Sequence, residues 1–194
     1  MRRPTCLTSK AGNVVRSILC ALPIMQWRLL EKITAMVPGV SAEGTSTTNF
    51  PDDLFADHFP GFPVTPGVLL VEMCAQLAGR LVEISGSQKH GHLVLPVLTM
   101  IGEAKFRQFV PAHTPVAIRA EIDQMRPESA MCRATLDSRG VRCADMRLMF
   151  VFNPDPAADG DKRTAVEAFE RAEFVRLGLK GFPPEPVTVI EPCA

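Results

Sequence analysis

The sequence predicts an α+β fold in which a curved antiparallel sheet wraps round one long buried helix. Two observations predict it. The segment Val68–Val82 carries apolar residues on every side of a helical wheel, which marks a buried helix and not a surface one. The segments flanking it are long, rich in β-branched or alternating residues, and divided by tight turns. The length of 194 residues gives one domain with appendages: an N-terminal extension over 1–21, a main domain over 22–153 and a C-terminal part over 154–194.

In the N-terminal extension, Arg2 and Arg3 precede a short apolar patch, Ile18–Leu22, which ends at Pro23. It lacks a small-residue cleavage site, so it is expected to be a short helix over Asn13–Leu22 and not a secretion signal. No apolar run is long enough for a membrane span. Gln26–Met36 and Val40–Asn49 read as two strands joined at Pro38-Gly39. Pro51–Phe55 reads as a short helical turn leading to His58.

The run His58-Phe59-Pro60-Gly61-Phe62-Pro63-Val64-Thr65-Pro66-Gly67 is too dense in Pro and Gly to lie inside an element, so it is a pinned loop. Thr65 is the expected N-cap of the central helix, with Pro66 at the first helical position. Gly86–Gly91 is expected to be a flexible loop after the helix. Leu93–Val110 reads as a strand with an irregularity at Gly102. Thr114–Met125, Ala130–Ser138 and Val141–Asn153 follow as strands, with turns at Pro127-Glu128 and Arg139-Gly140. Beyond a Pro- and Asp-containing linker, Thr164–Leu177 has Val166, Phe169, Ala172, Phe174 and Leu177 near helical spacing, and Gly178 is a plausible stop. The last residues, from Gly181, read as an extended Pro-rich tail. Long strands round one helix in this order make a hot-dog fold.

Charge and cysteine usage exclude several function classes. Lys+Arg and Asp+Glu both number 21, giving a formal net charge of zero and no sign of a nucleic-acid surface. The six cysteines are scattered with neither C-x-x-C pairing nor zinc spacing, so they read as free thiols in a reducing, cytoplasmic compartment. His90 and His92 form an H-x-H pair without accompanying ligands, so no metal site is expected.

The candidate chemistry lies where the loop meets the helix. Glu72 interrupts an apolar helix, so its carboxylate is paired, protonated or facing a polar cavity. Gln76 and Gly79 follow on the same helical face, which reads as the wall of a site. A carboxylate pairing with an Arg or capping a strand is the plainer alternative, as a loop histidine is for His58.

The stretch HFPGFPVTPGVLLVEMCAQLAG resembles the signature of the FabZ-type (3R)-hydroxyacyl-acyl-carrier-protein dehydratases of fatty-acid synthesis. That family carries a histidine opening an HFPG run and an acid on the central helix; here these positions are His58 and Glu72. The resemblance covers roughly residues 22–152. It implies dehydration of a 3-hydroxyacyl thioester, with His58 as base and Glu72 as acid kept protonated by burial. Gly67 would offer its N–H to the thioester carbonyl and Gln76 would orient the acid. Phe59 and Val68 would contact substrate. No cofactor beyond the carrier's phosphopantetheine arm is implied. The implied partner is acyl carrier protein, received by Lys105 and Arg107 in a segment like the family's basic stretch, with Arg80 a further candidate. The implied assembly is a homodimer, or a higher oligomer built from dimers, in which histidine and acid of one site come from different subunits.

The chain also departs from the family pattern. Asp57 stands where glycine is frequent before the histidine, and a carboxylate there would raise the basicity of His58. Phe62, Thr65 and Gly102 are unusual for the family, and with no Tyr in the chain the aromatic gate of some members is missing or replaced. These differences point to a divergent member acting in fatty-acid or a related lipid, polyketide or polyene synthesis. Two other classes share the fold: an acyl thioesterase using a carboxylate and water, and a non-catalytic subunit paired with an active one.

Overall fold

The computed structural model describes residues 27–153 and 160–179. The expected helix at 13–22 and the tail from Gly181 lie outside them. Six strands form one antiparallel sheet: β1 Lys32–Val37, β2 Ser41–Thr47, β3 Leu95–Phe106, β4 Pro115–Met125, β5 Ser129–Ser138 and β6 Val141–Asn153. Their spatial order is β1-β2-β4-β5-β6-β3. Among the described residues three helices accompany them: α1 Asp52–Ala56, α2 Gly67–His90 and α3 Gly160–Arg176. This is the hot-dog arrangement, with α2 laid along the concave face of the sheet.

The alternation expected of half-buried strands holds the two layers together. In β4, Val116, Ile118 and Ala120 are buried while their neighbours face outward; in β5, Cys132, Ala134 and Leu136 do the same. They pack with β6 residues Met146 and Leu148 in the same core as Met73, Leu77 and Leu81 of α2. The β5–β6 hairpin turns at Arg139 and Gly140, both at positive φ (52° and 77°), as a two-residue type I′ connection requires. In β3 the pairing with β6 slips between Leu98 and Met100 and again between Ile101 and Glu103, so the expected irregularity at Gly102 is one of two.

Several boundaries differ from the sequence expectation. The first strand starts at Lys32 and not at Gln26, because the backbone N–H groups of Leu29 and Leu30 turn to the side chain of Gln76 instead of to a strand. The N-cap of α2 is Pro66, not Thr65. Thr65 is taken up elsewhere: its N–H donates to Val110 O at 2.8 Å and its hydroxyl to Pro111 O at 3.3 Å. The segment Gly86–His90 is helix and not loop. Gly86 lies under the side chain of Val94, where a Cβ would stand 3.1 Å from Cγ1. The serines here serve the packing: Ser85 Oγ accepts the Gly39 N–H and donates to Leu81 O, and Ser87 Oγ, in the expected loop, accepts the Val94 N–H. The helix ends one step later at Gly91, at a φ of 72°.

α3 also differs from expectation in the face it buries. Phe174 and Leu177 are buried, but Phe169 is exposed, and two glutamates, Glu170 and Glu173, take the inner positions. They are held by arginines from other elements: Arg80 meets Glu170, and Arg28 meets Glu173 at 2.7 Å. Arg176 donates to Leu30 O at 2.9 Å and the Ile33 N–H donates to Leu177 O at 3.0 Å, so α3 is fastened to the start of β1.

Cys74, Cys132 and Cys143 are free and buried. Burial pushes the thiols of Cys74 and Cys132 up to about 12, so they pack as small apolar groups. No helix among the described residues is long and apolar enough to cross a membrane.

The close packing at Gly86 makes a direct test. Gly86→Leu is expected to lower unfolding free energy by about 1–3 kcal/mol through overpacking against Val94. Urea denaturation measures it. A neutral effect would mean that the segment is the open loop that its Ser and Gly content suggests.

Candidate functional site

His58 is held by its own loop. Its backbone N–H donates to Phe55 O at 3.1 Å, and its backbone carbonyl accepts the Val64 N–H at 2.9 Å. Phe59 and Phe62 exchange backbone hydrogen bonds round Gly61, whose φ of 76° suits glycine. The loop is pinned in turn to the segment after β3. Val64 pairs with Pro111, and the Ala112 N–H donates to Pro63 O. That segment is anchored by buried Thr48, whose hydroxyl donates to Pro111 O at 2.9 Å and accepts the Thr114 N–H at 2.9 Å.

Within this frame the His58 ring is half-buried. Its Nδ1 lies 2.9 Å from Val64 O. A carbonyl can only accept, so Nδ1 carries the proton and Nε2 of the neutral ring keeps its lone pair. The Phe59 ring stacks on the imidazole with centroids 4.6 Å apart. Asp57 is exposed.

Glu72 stands on the one polar stripe of α2. It is half-buried, as are Gln76 and Gly79, while the residues between them and those over Leu81–Ser87 are buried. Its surroundings are therefore more polar than an apolar wheel implies. Gln76 Nε2 donates to Glu72 Oε1 at 2.9 Å, and Trp27 Nε1 donates to the same oxygen at 2.9 Å. Both donors share Oε1, which turns the carboxyl and leaves Oε2 for other partners. The Gln76 carbonyl accepts the N–H groups of Leu29 and Leu30 at 2.9 and 3.2 Å. Trp27 is not among the site residues that the sequence singles out, because its contact with Glu72 joins positions 45 apart.

Gly67 opens α2, where backbone N–H groups have no intrahelical acceptor. The Phe106 ring lies across it so closely that a Cβ would come within 2.9 Å of Cζ. Val68 beside it is 72% exposed and Phe59 is 51% exposed. Glu72 and Gln76 line a cavity of about 440 Å³, and His58 is not among its walls. Hydrogen bonds thus join Glu72, Gln76 and Trp27, while the His58 ring stacks on Phe59.

Of the basic candidates, Lys105 and Arg107 are exposed at the end of β3. Lys105 pairs with Glu103 at 2.8 Å and Arg107 with Asp145. Arg80 is a correction. It is not a surface cation but lies inside, bonded to buried Glu83 at 2.6 Å and to Glu170, with its guanidinium 5.4 Å from the Phe174 ring centroid. Glu83, 2% exposed, is bonded to Arg80 one turn earlier on the same helix, and no sequence pattern singles it out. Burial pushes its carboxyl up, against the pull of Arg80.

The comparisons with known proteins agree with this frame. Similar chains include the 3-hydroxyacyl-[acyl-carrier-protein] dehydratase FabZ of Acidiphilium cryptum, 29% identical over 154 residues, covering 79% of this chain and 90% of that one. The enzyme of the same name from Rickettsia bellii is 35% identical over 120 residues, covering 61% of this chain and 81% of that one. Among solved structures, the PaaI protein of Escherichia coli superposes with a TM-score of 0.51 at 14% identity, covering 74% of this chain and 90% of that one. At that identity the likeness shows the hot-dog fold alone. The FabA-like domain family matches residues 22–143, and the chain belongs to that family.

Proposed function

We propose that this protein dehydrates (3R)-hydroxyacyl thioesters, carried on acyl carrier protein, to trans-2-enoyl thioesters. The observation that carries the reading is the state of the two candidate groups. His58 has Nε2 free to accept a proton, because Nδ1 is committed to Val64 O. Glu72 Oε2 has no hydrogen-bond partner among the described residues, both donors being on Oε1. Elimination of water needs this division of labour: a base at C2 and a proton source at the C3 hydroxyl, since hydroxide leaves poorly.

In this reading His58 Nε2 takes the C2 proton. Charge then gathers on the thioester oxygen, where the Gly67 N–H and the positive end of α2 face it. Glu72 Oε2 delivers a proton to the departing hydroxyl, which leaves as water. Gln76 and Trp27 fix the carboxyl, while Phe59 and Val68 present apolar surface to the substrate. The chain supplies all of these groups, and the phosphopantetheine arm arrives with the substrate.

Because His58 does not line the cavity at Glu72, this reading builds the complete site between two protomers. The surface suits this. β3 is an edge strand with Val97, Met100, Ile101 and Phe106 exposed, close to exposed Val68 at the start of α2. Such an edge in water invites pairing with a second copy. Lys105 and Arg107 at its end would meet an acidic carrier protein by exchanging exposed carboxylate partners, whose pairs are individually weak. This chemistry belongs in the cytoplasm, where carrier-bound acyl chains are made.

Two experiments test the reading. In a spectroscopic assay of enoyl-thioester formation, His58→Ala and Glu72→Gln are each expected to lower kcat by about 10²–10⁴ with the assembly intact. Co-expressed heterodimers of the two variants are expected to regain about half the wild-type activity per dimer, because one of their two sites is intact. Failure to regain it would place each site inside a single protomer.

A further inference from the structure

The segment Trp27–Leu30 lies before β1 and is held by side chains from three elements, not by a strand ladder. Ser46 of β2 donates its hydroxyl to Leu29 O at 2.6 Å. From α2, Gln76 Oε1 accepts the Leu29 and Leu30 N–H groups, and Gln76 Nε2 donates to Trp27 O at 3.2 Å. Glu72 Oε1 takes the Trp27 indole N–H from the same side. From α3, Glu173 Oε1 meets Arg28 at 2.7 Å and Glu173 Oε2 meets Arg176 at 2.8 Å. Arg176 in turn donates to Leu30 O at 2.9 Å. Trp27 and Arg28 are neighbours in the chain, yet one side chain runs to α2 and the other to α3.

Burial does not hold the indole, because Trp27 is 53% exposed. Its position depends on the backbone that carries it, and that backbone continues directly into Arg28. Glu173 is the firm end of this tie. It is 4% exposed, and each of its oxygens is committed to an arginine, so the carboxylate has no freedom to swing. The acid at the other end needs such support. The terminal torsion of a glutamate is broad, and the two donors on Glu72 Oε1 together set the plane of its carboxyl. Gln76 holds one donor bond from within α2, whereas the other depends on where Trp27 stands. α3 lies beyond the residues matched by the family, so this support is an addition of the present chain.

We propose that Glu173 is a positioning residue for the acid. Through Arg28 and Arg176 it holds Trp27–Leu30 against α2, so that the indole stays on Glu72 Oε1 and Oε2 keeps its aim. The inference rests on the dehydratase reading and adds α3 to the parts that serve it.

The test uses the full-length protein, whose one tryptophan is Trp27. With isotope-labelled tryptophan, a single indole N–H resonance reports the contact in the nuclear magnetic resonance spectrum. Glu72→Ala gives the position of that resonance when the bond is lost. Glu173→Ala and Arg28→Met are each expected to move it at least halfway there. Both are expected to lower kcat on a (3R)-hydroxyacyl carrier-protein thioester about fivefold or more, with KM changed by less than about twofold. In a Trp27→Phe background, Glu173→Ala is expected to lower kcat by less than about twofold, because the tie no longer has an indole to place. If Glu173→Ala does not fold, Arg28→Met decides, since that side chain is 38% exposed and Ser46 and Gln76 still hold Leu29. An unmoved resonance in folded variants, or a full loss of kcat in the Trp27→Phe background, would overturn the inference and leave the dehydratase reading standing. If the wild type turns over no thioester, that reading falls separately. The resonance alone then decides whether Glu173 places the indole on Glu72.

Discussion

The amide of Gln76 is the interaction on which the site depends. Its carbonyl takes the N–H groups of Leu29 and Leu30, and its Nε2 donates to Glu72 Oε1 and to Trp27 O. One side chain thus stops the chain before β1 from pairing as a strand, brings Trp27 over the helix and turns the Glu72 carboxyl. A helix enclosed on its other faces would not tolerate two polar groups unless they satisfied each other and the backbone beside them. The polar stripe of α2 is therefore one connected network, and the cavity lies along it.

A second constraint holds the histidine. Val64 O fixes the imidazole through Nδ1, and Val64 is fixed by pairing with Pro111. Pro111 is fixed by Thr48 at the end of β2. The orientation of the His58 ring is thereby tied to the sheet, through a loop whose Pro and Gly residues leave the backbone few alternatives. The two chemical groups are mounted on different supports, loop and helix.

Local patterns carried much of the fold. β6 begins and ends where alternation and the Arg139-Gly140 turn place it, at Val141 and Asn153, and the slip at Gly102 follows from a glycine inside a strand. What misled were residues whose partners are distant in the chain. Gly86 and Ser87 have loop chemistry, yet they pack inside a helix because Val94 meets them there. Glu170 and Glu173 break an apolar periodicity and are still the buried face of α3, because Arg80 and Arg28 come to meet them. In the site, the HFPG run and Glu72 are contiguous enough to be read from sequence, whereas the Trp27 contact and the Arg80–Glu83–Glu170 cluster join residues up to 90 positions apart.

The measurement that tests the account most directly is mass spectrometry of a (3R)-hydroxyacyl carrier-protein thioester incubated with the wild-type protein. The account predicts loss of one water with the thioester bond intact, and the reverse addition when the trans-2-enoyl thioester is supplied. Release of free carrier thiol and a 3-hydroxy acid, without any enoyl product, would contradict it and make the same fold a thioesterase.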